Sequence, residues 1–173
     1  MPQPSRALVP ILLGLLILLP ACTEEESTPS TDPAPSGTTI PFDEEGQLAM
    51  LRDGDTTVVV TIEVADSDSA RERGMMQREG FPSDTSGMLF PFDEERERSF
   101  WMANTPVALD LFFIDADSQI VTIRKYAQPN TADQIRSDGP AQYVLETPAG
   151  FADSYGVVEG DRVRWRRSEP PER

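Results

Sequence analysis

The segment Thr56 to Ala65, TTVVVTIEVA, sets Val58, Val60, Ile62 and Val64 against Thr57, Thr61 and Glu63. That period of two is the pattern of a strand with one buried face. Asp53-Gly54 just before it is a hairpin signal, with Gln47 to Arg52 as the partner strand. Asp66 to Glu79 begins with helix-capping residues and ends before Gly80 and Pro82, which predicts one short helix. Short apolar runs then recur between turn residues: Met88 to Phe92, Phe100 to Thr105, Leu109 to Asp115, Gln119 to Tyr126, Gln142 to Thr147 and Arg162 to Arg167. Ala127 to Pro140 lacks apolar periodicity and reads as a long loop of the kind that often serves as a lid or binding loop. The expected fold is mainly β (α+β): a single compact antiparallel domain, barrel-like or sandwich-like, with one or two short helices.

Before this domain the chain has a different character. Arg6 precedes the apolar run Leu8 to Leu19, and Leu19-Pro20-Ala21-Cys22 closes it. The run is too short for a spanning helix, and its charged start and small-residue end describe a secretory signal peptide. Leu-Pro-Ala-Cys resembles a bacterial lipobox, and the resemblance implies cleavage after Ala21 and lipid attachment at Cys22. Several acyl chains on one residue anchor stably where one chain binds only reversibly. Thr23 after the cysteine, by resemblance to lipoprotein sorting rules, favours the outer membrane, facing the periplasm. Thr23 to Gly37 is rich in Ser, Thr and Pro, with four acids and no base, and is expected to be a disordered tether. The organisation is thus a signal peptide over 1–21, an acidic tether over 22–37, a β-rich domain over 38–167 and a tail over 168–173.

Composition removes several chemistries. With no histidine and one cysteine, the chain cannot form a Ser-His-Asp or Cys-His centre, an intrachain disulfide or a Cys/His zinc site. No cofactor and no metal are expected. Thioether copper binding through Met75, Met76, Met88 and Met102 is the soft-ligand alternative, set against methionine as a filler of core gaps. The formal net charge is −15. Without Arg6 and the four tether acids about −12 remains on side chains from residue 38 onward, which argues against nucleic acid as a partner.

Arg71-Glu72-Arg73-Gly74-Met75-Met76, Gly87-Met88-Leu89-Phe90, Phe100-Trp101-Met102-Ala103-Asn104-Thr105 with Leu109-Asp110, Tyr143-Val144-Leu145-Glu146 with Ala149-Gly150, and Gly160-Asp161 follow one another in an order that resembles the domain of unknown function 192 family, over about Val58 to Trp165. The resemblance implies a compact β-rich fold and an envelope setting, and carries no catalytic residues with it. Ala103 stands where the family pattern has Lys, so no basic role is expected there.

The residues themselves suggest where chemistry could lie. Asp110 shares a strand face with Phe112 and Ile114 while Leu109, Leu111 and Phe113 fill the other, so both faces read as buried. Glu146 ends the face of Val144. A carboxylate in such surroundings is costly unless partnered. Asp110 and Glu146 are therefore either structural locks held by arginine or backbone amides, or a general acid and base pair of the glycosidase type. Trp101 offers a stacking platform, with Thr105 on its face and Asn104 opposite if the segment is a strand, and Asn104-Thr105-Pro106 is equally a strand exit. Arg162, Arg164 and Arg166 form a basic stripe on the last strand. The function expected is a membrane-anchored ligand-binding or envelope-accessory module, with catalysis left open, candidate ligand residues Asn104, Thr105, Trp101 and Arg73, and a small molecule or glycan as ligand. A carboxylate-dependent hydrolase of envelope glycans and a structural surface module are the alternatives.

Overall fold

In the computed structural model, which describes residues 40–168, the alternating segment forms β2 (Asp55–Val64) and its predicted partner forms β1 (Gly46–Arg52). They pair antiparallel across the Asp53-Gly54 turn, where both residues have positive φ, 52° and 91°. The remaining elements in chain order are α1 (Asp68–Arg73), β3 (Ser86–Arg96), β4 (Ser99–Phe100), β5 (Leu109–Ile114), β6 (Ile120–Ala127), β7 (Ile135–Arg136), β8 (Ala141–Pro148), α2 (Phe151–Ser154) and β9 (Arg162–Arg167). The signal peptide, Cys22 and the tether lie outside the described residues, as does the tail beyond Ser168.

Seven strands form one sheet in the order β6-β5-β8-β3-β2-β1-β9, and β4 and β7 form a two-stranded ribbon. The fold is mainly β, as expected, but the sheet is mixed. β2 and β3 run parallel, Thr61 beside Ser86 to Val64 beside Leu89, because α1 lies in the crossover between them. The sheet does not close into a barrel. Its edge strands meet over a short stretch, through the Gln119–Arg162 bridge and the bonds Ile120 N–H to Asp161 O and Val163 N–H to Ser118 O, both 2.8 Å. The result is sandwich-like.

Two apolar layers follow. Inside the curl, Leu48, Val60, Ile62, Phe112, Ile114 and Leu145 pack together, joined by Phe151 and Ala152 of α2. On the outer face of the β3-β8-β5 half, Met88, Phe90, Leu111, Phe113 and Val144 are covered by Met75 and Met102, with Phe100 of β4 and Ile135 of β7 packed against them. The methionines weighed as copper ligands thus include three, Met75, Met88 and Met102, that fill this layer.

Two expectations are corrected. The helix predicted over Asp66–Glu79 ends at Arg73: Ser67 caps its start by accepting from Ala70 N–H, and Gly74, at φ 46° and ψ −131°, turns the chain so that Met75 drops into the outer layer. The run Phe100 to Thr105 is a strand only at Phe100. Met102 is buried and Trp101 exposed, and Asn104 has φ 56°, so strand alternation does not apply. Asn104 is a turn residue, its carbonyl accepting from Gln77 N–H at 2.8 Å.

Asp110 joins the inner layer to its surroundings. β5 and β6 slip register between Leu109 and Leu111, which leaves the Tyr126 N–H without a cross-strand acceptor. Asp110 Oδ1 accepts it at 2.8 Å, and Oδ2 accepts from Ala152 N–H at 3.0 Å, pinning α2. The side chain is fully buried. Asp110→Ala strands two amide donors, and we expect a loss of about 3 kcal/mol in denaturant unfolding; a loss below about 1 kcal/mol would show that those amides have other acceptors.

Candidate functional site

The cross-strand register decides which polar groups share a face. Glu63 of β2 lies beside Met88 of β3, Met88 beside Glu146 of β8, and Glu146 beside Leu111 of β5. These four residues form a row on the outer face. Asp110 is registered with Thr147 instead, so it faces the inner layer. The two carboxylates read as a possible acid and base pair are thus on opposite sides of one sheet. Asp110 is held by amides and lies outside the cleft that Glu146 lines. Asp110 and Glu146 therefore cannot act together as the acid and base pair of the glycosidase reading.

Within the outer row the two glutamates have opposite circumstances. Glu63 accepts from Nη1 and Nη2 of Arg78, at 2.7 and 2.6 Å, in a buried pair. Such a forked contact is the strongest an arginine makes with a carboxylate. Glu146 is only 4 % exposed, and its Oε2 has no hydrogen-bond partner among the described residues. Burial pushes its carboxyl up to about 8, so at neutral pH most of it is protonated.

Glu146 lines a cavity of about 380 Å³, within the range of small-molecule sites. The cavity opens where α1 ends. Gly74 sits against its floor: a Cβ there would stand 3.4 Å from the Phe90 ring and 3.9 Å from Glu146 Oε2. Phe90 and Phe100 give aromatic walls, their rings 5.1 Å apart and nearly perpendicular at 86°. Thr105, 4 % exposed, adds a hydroxyl, and Trp101, 54 % exposed, stands at the mouth. Gln134, from the long loop after β6, lines it too, so this loop does reach the site. Asp68, Arg71, Glu72 and Arg73 of α1 supply the charged lining.

Arg71 is committed elsewhere, donating to the carbonyls of Asp66 and Pro91 and to Asp68 Oδ1. Arg98, buried nearby on the same face, lies 3.7 Å over the Phe92 ring and donates to Ala141 O and Glu94 O. Burial and neighbouring arginines lower its pKa. Of the residues singled out from sequence, the structure brings Arg73, Trp101, Thr105 and Glu146 to one cavity and leaves Asn104 and Asp110 out of its lining. The missed contributors are Phe90, Phe100 and Gly74. The glycine in Arg73-Gly74-Met75 was the available signal, since a helix broken between charged and apolar residues opens a gap beside the sheet. Among the described residues no group of three His, Cys, Asp or Glu is placed to hold a metal ion.

The burial of Glu146 makes stability depend on pH. Between about pH 5 and 8 the folded protein holds a proton on Glu146 that the unfolded chain, titrating near the ordinary 4.5, has released. Stability from this group is therefore full at low pH and falls as pH rises, by at most about 1.4 kcal/mol per pH unit, levelling above about 8. Urea unfolding of Glu146→Gln at pH 5, 6.5 and 8 should show this slope removed and the variant gaining on the parent as pH rises; parallel profiles would refute the burial of an unpartnered acid.

The model of the DUF192 family, described as "Uncharacterized ACR", matches residues 49–165. A crystal structure of a candidate transcription regulator from Sinorhizobium meliloti 1021 is similar at 37 % identity, covering 73 % of this chain and 96 % of that one, with a TM-score of 0.67. A crystal structure of a protein of unknown function from Novosphingobium aromaticivorans DSM 12444 is similar at 28 % identity, covering 69 % and 84 %, with a TM-score of 0.65. No curated protein matches.

Proposed function

This chain belongs to the DUF192 family over residues 49–165, and we propose, from its own geometry, that it is a binding module whose outer-layer cleft takes a small organic ligand. The observation that carries this reading is Glu146 Oε2, buried without a partner in the lining of an open cavity. A buried polar atom left unpaired costs stability, and a ligand that supplies the missing hydrogen bond recovers it. Phe90, Phe100 and Trp101 supply the apolar contact for the ligand body, Thr105 and Gln134 the orienting polar groups.

A regulator role of the kind named for the Sinorhizobium protein does not suit the charge of this chain. Phosphate binding starts from a basic surface, whereas about −12 of side-chain charge falls from residue 38 onward. The arginines of β9 are partly engaged, Arg162 with Asp117 O, Arg166 with Gln47 Oε1 and Arg167 with Asp66. The module is delivered, on this reading, as a lipoprotein: Cys22 is lipidated, and the domain hangs in the cell envelope on its acidic tether, most simply from the outer membrane toward the periplasm.

A thermal-shift screen of small organic fragments on the full-length protein tests the binding role, since a ligand of the folded state raises the melting temperature. Trp101→Ala, at an exposed position, should leave the unliganded melting temperature within about 2 °C and weaken cleft ligands by about tenfold; hits that bind the variant undiminished would place the ligand elsewhere. For the anchor, Cys22→Ser should move the protein from the membrane fraction to the soluble fraction. Unchanged fractionation would rule lipidation out.

A further inference from the structure

The row Glu63, Met88, Glu146, Leu111 holds two buried carboxylates on one face, and only Glu63 has been given a cation. Resting on the reading of the cleft as a ligand site, we infer that its ligand is a small organic ammonium ion, whose N–H groups meet Glu146 as the guanidinium of Arg78 meets Glu63.

Three features favour a cation with N–H donors over a neutral ligand. First, the protein's own cations near the cleft do not serve Glu146. Arg71 and Arg98 are tied to backbone carbonyls, Arg71 also to Asp68, and Arg98 lies over Phe92. Arg73 is exposed on the α1 side of the lining. Second, Phe90 and Phe100 line the cleft beside the acid, their rings in nearly perpendicular planes, with the exposed Trp101 at the mouth. Aromatic faces attract cations through the ring quadrupole, most strongly where water is excluded. Third, the surplus of acids over the domain draws positive ligands toward it. A quaternary ammonium would satisfy the rings but has no N–H for Oε2, so a primary or secondary amine is the fitting class.

Binding of such an ion is coupled to a proton. The titratable groups facing the cleft besides Glu146 are Asp68, Arg71, Glu72 and Arg73, all from α1. The strands flanking Glu146 contribute Met88 and Leu111, and the ribbon side contributes Ser99 and Gln134, none of them titrating. Glu146 therefore must release its proton when the ammonium arrives, and the apparent affinity follows its ionised fraction.

Isothermal titration of the full-length protein with 2-phenylethylammonium chloride and with 2-phenylethanol, at pH 6 and pH 8, tests this. For an acid held at about 8, the ammonium should bind about fifty-fold more tightly at pH 8 than at pH 6. At pH 6 it should release about one proton, read from the dependence of the heat on buffer. Glu146→Gln should abolish both the pH dependence and the preference for the ammonium, and the proton count on the parent protein stands whether or not that variant folds. Equal affinity for the alcohol and the ammonium at both pH values overturns the ammonium assignment while keeping the cleft as a ligand site. Binding of neither probe at millimolar concentration also overturns it, and the cleft itself is then judged by the fragment screen.

Discussion

Strand β8 is bonded on both edges, to β3 and to β5, and has an apolar layer on each face. A one-residue slip in that setting would exchange every inward side chain for an outward one, so its register is the constraint on which the rest depends. It seats Leu145 in the inner layer and Val144 and Glu146 in the outer one. Gly87 of β3 lets the strands approach at this point: a Cβ there would stand 2.8 Å from the Glu146 carbonyl oxygen. The same register sets Asp110 beside Thr147, away from Glu146.

What lies above the sheet then determines which carboxylates are finished by the fold and which are left open. Asp110 meets an irregularity in the β5–β6 ladder and the start of α2, and both supply amides. Glu63 meets Arg78, brought over it by the turns after α1. Glu146 meets the place where α1 stops at Gly74 and the chain turns inward through Met75. A longer helix would have filled that space. The early break gives the cavity its opening and leaves Glu146 without a donor, at the cost of a strained titration.

Much of the architecture was legible in the sequence for a simple reason. Strands β1, β2, β5, β6, β8 and β9 each carry the period or the apolar density that a half-buried or fully buried strand demands, and the residues of Leu109 to Ile114 by themselves indicate that both faces are buried. The sequence reading failed where local pattern and tertiary position disagree. Asp66 to Glu79 has helical composition, yet packing of Met75 and the conformation of Gly74 end the helix early. Phe100 to Thr105 reads as a strand because it is a short apolar run between turn residues, yet the amides of Met102 and Thr105 bond to Thr131 and to its own turn. The parallel pairing of β2 and β3 and the ribbon of β4 with β7 leave no trace in residue periodicity, since pairing partners are distant in the chain.

The candidate site divides in the same way. Sequence alone determined that histidine chemistry and a cysteine-built metal cage are excluded from this chain, and that Asp110 and Glu146 sit among apolar residues, because residue type and alternation are local properties. Only the tertiary structure decided that the two carboxylates face opposite layers, that one is satisfied and the other is open, and that the open one lies in an aromatic cleft. Those outcomes depend on strand register and on where a helix stops above the sheet, and both are settled by contacts between residues far apart in the chain.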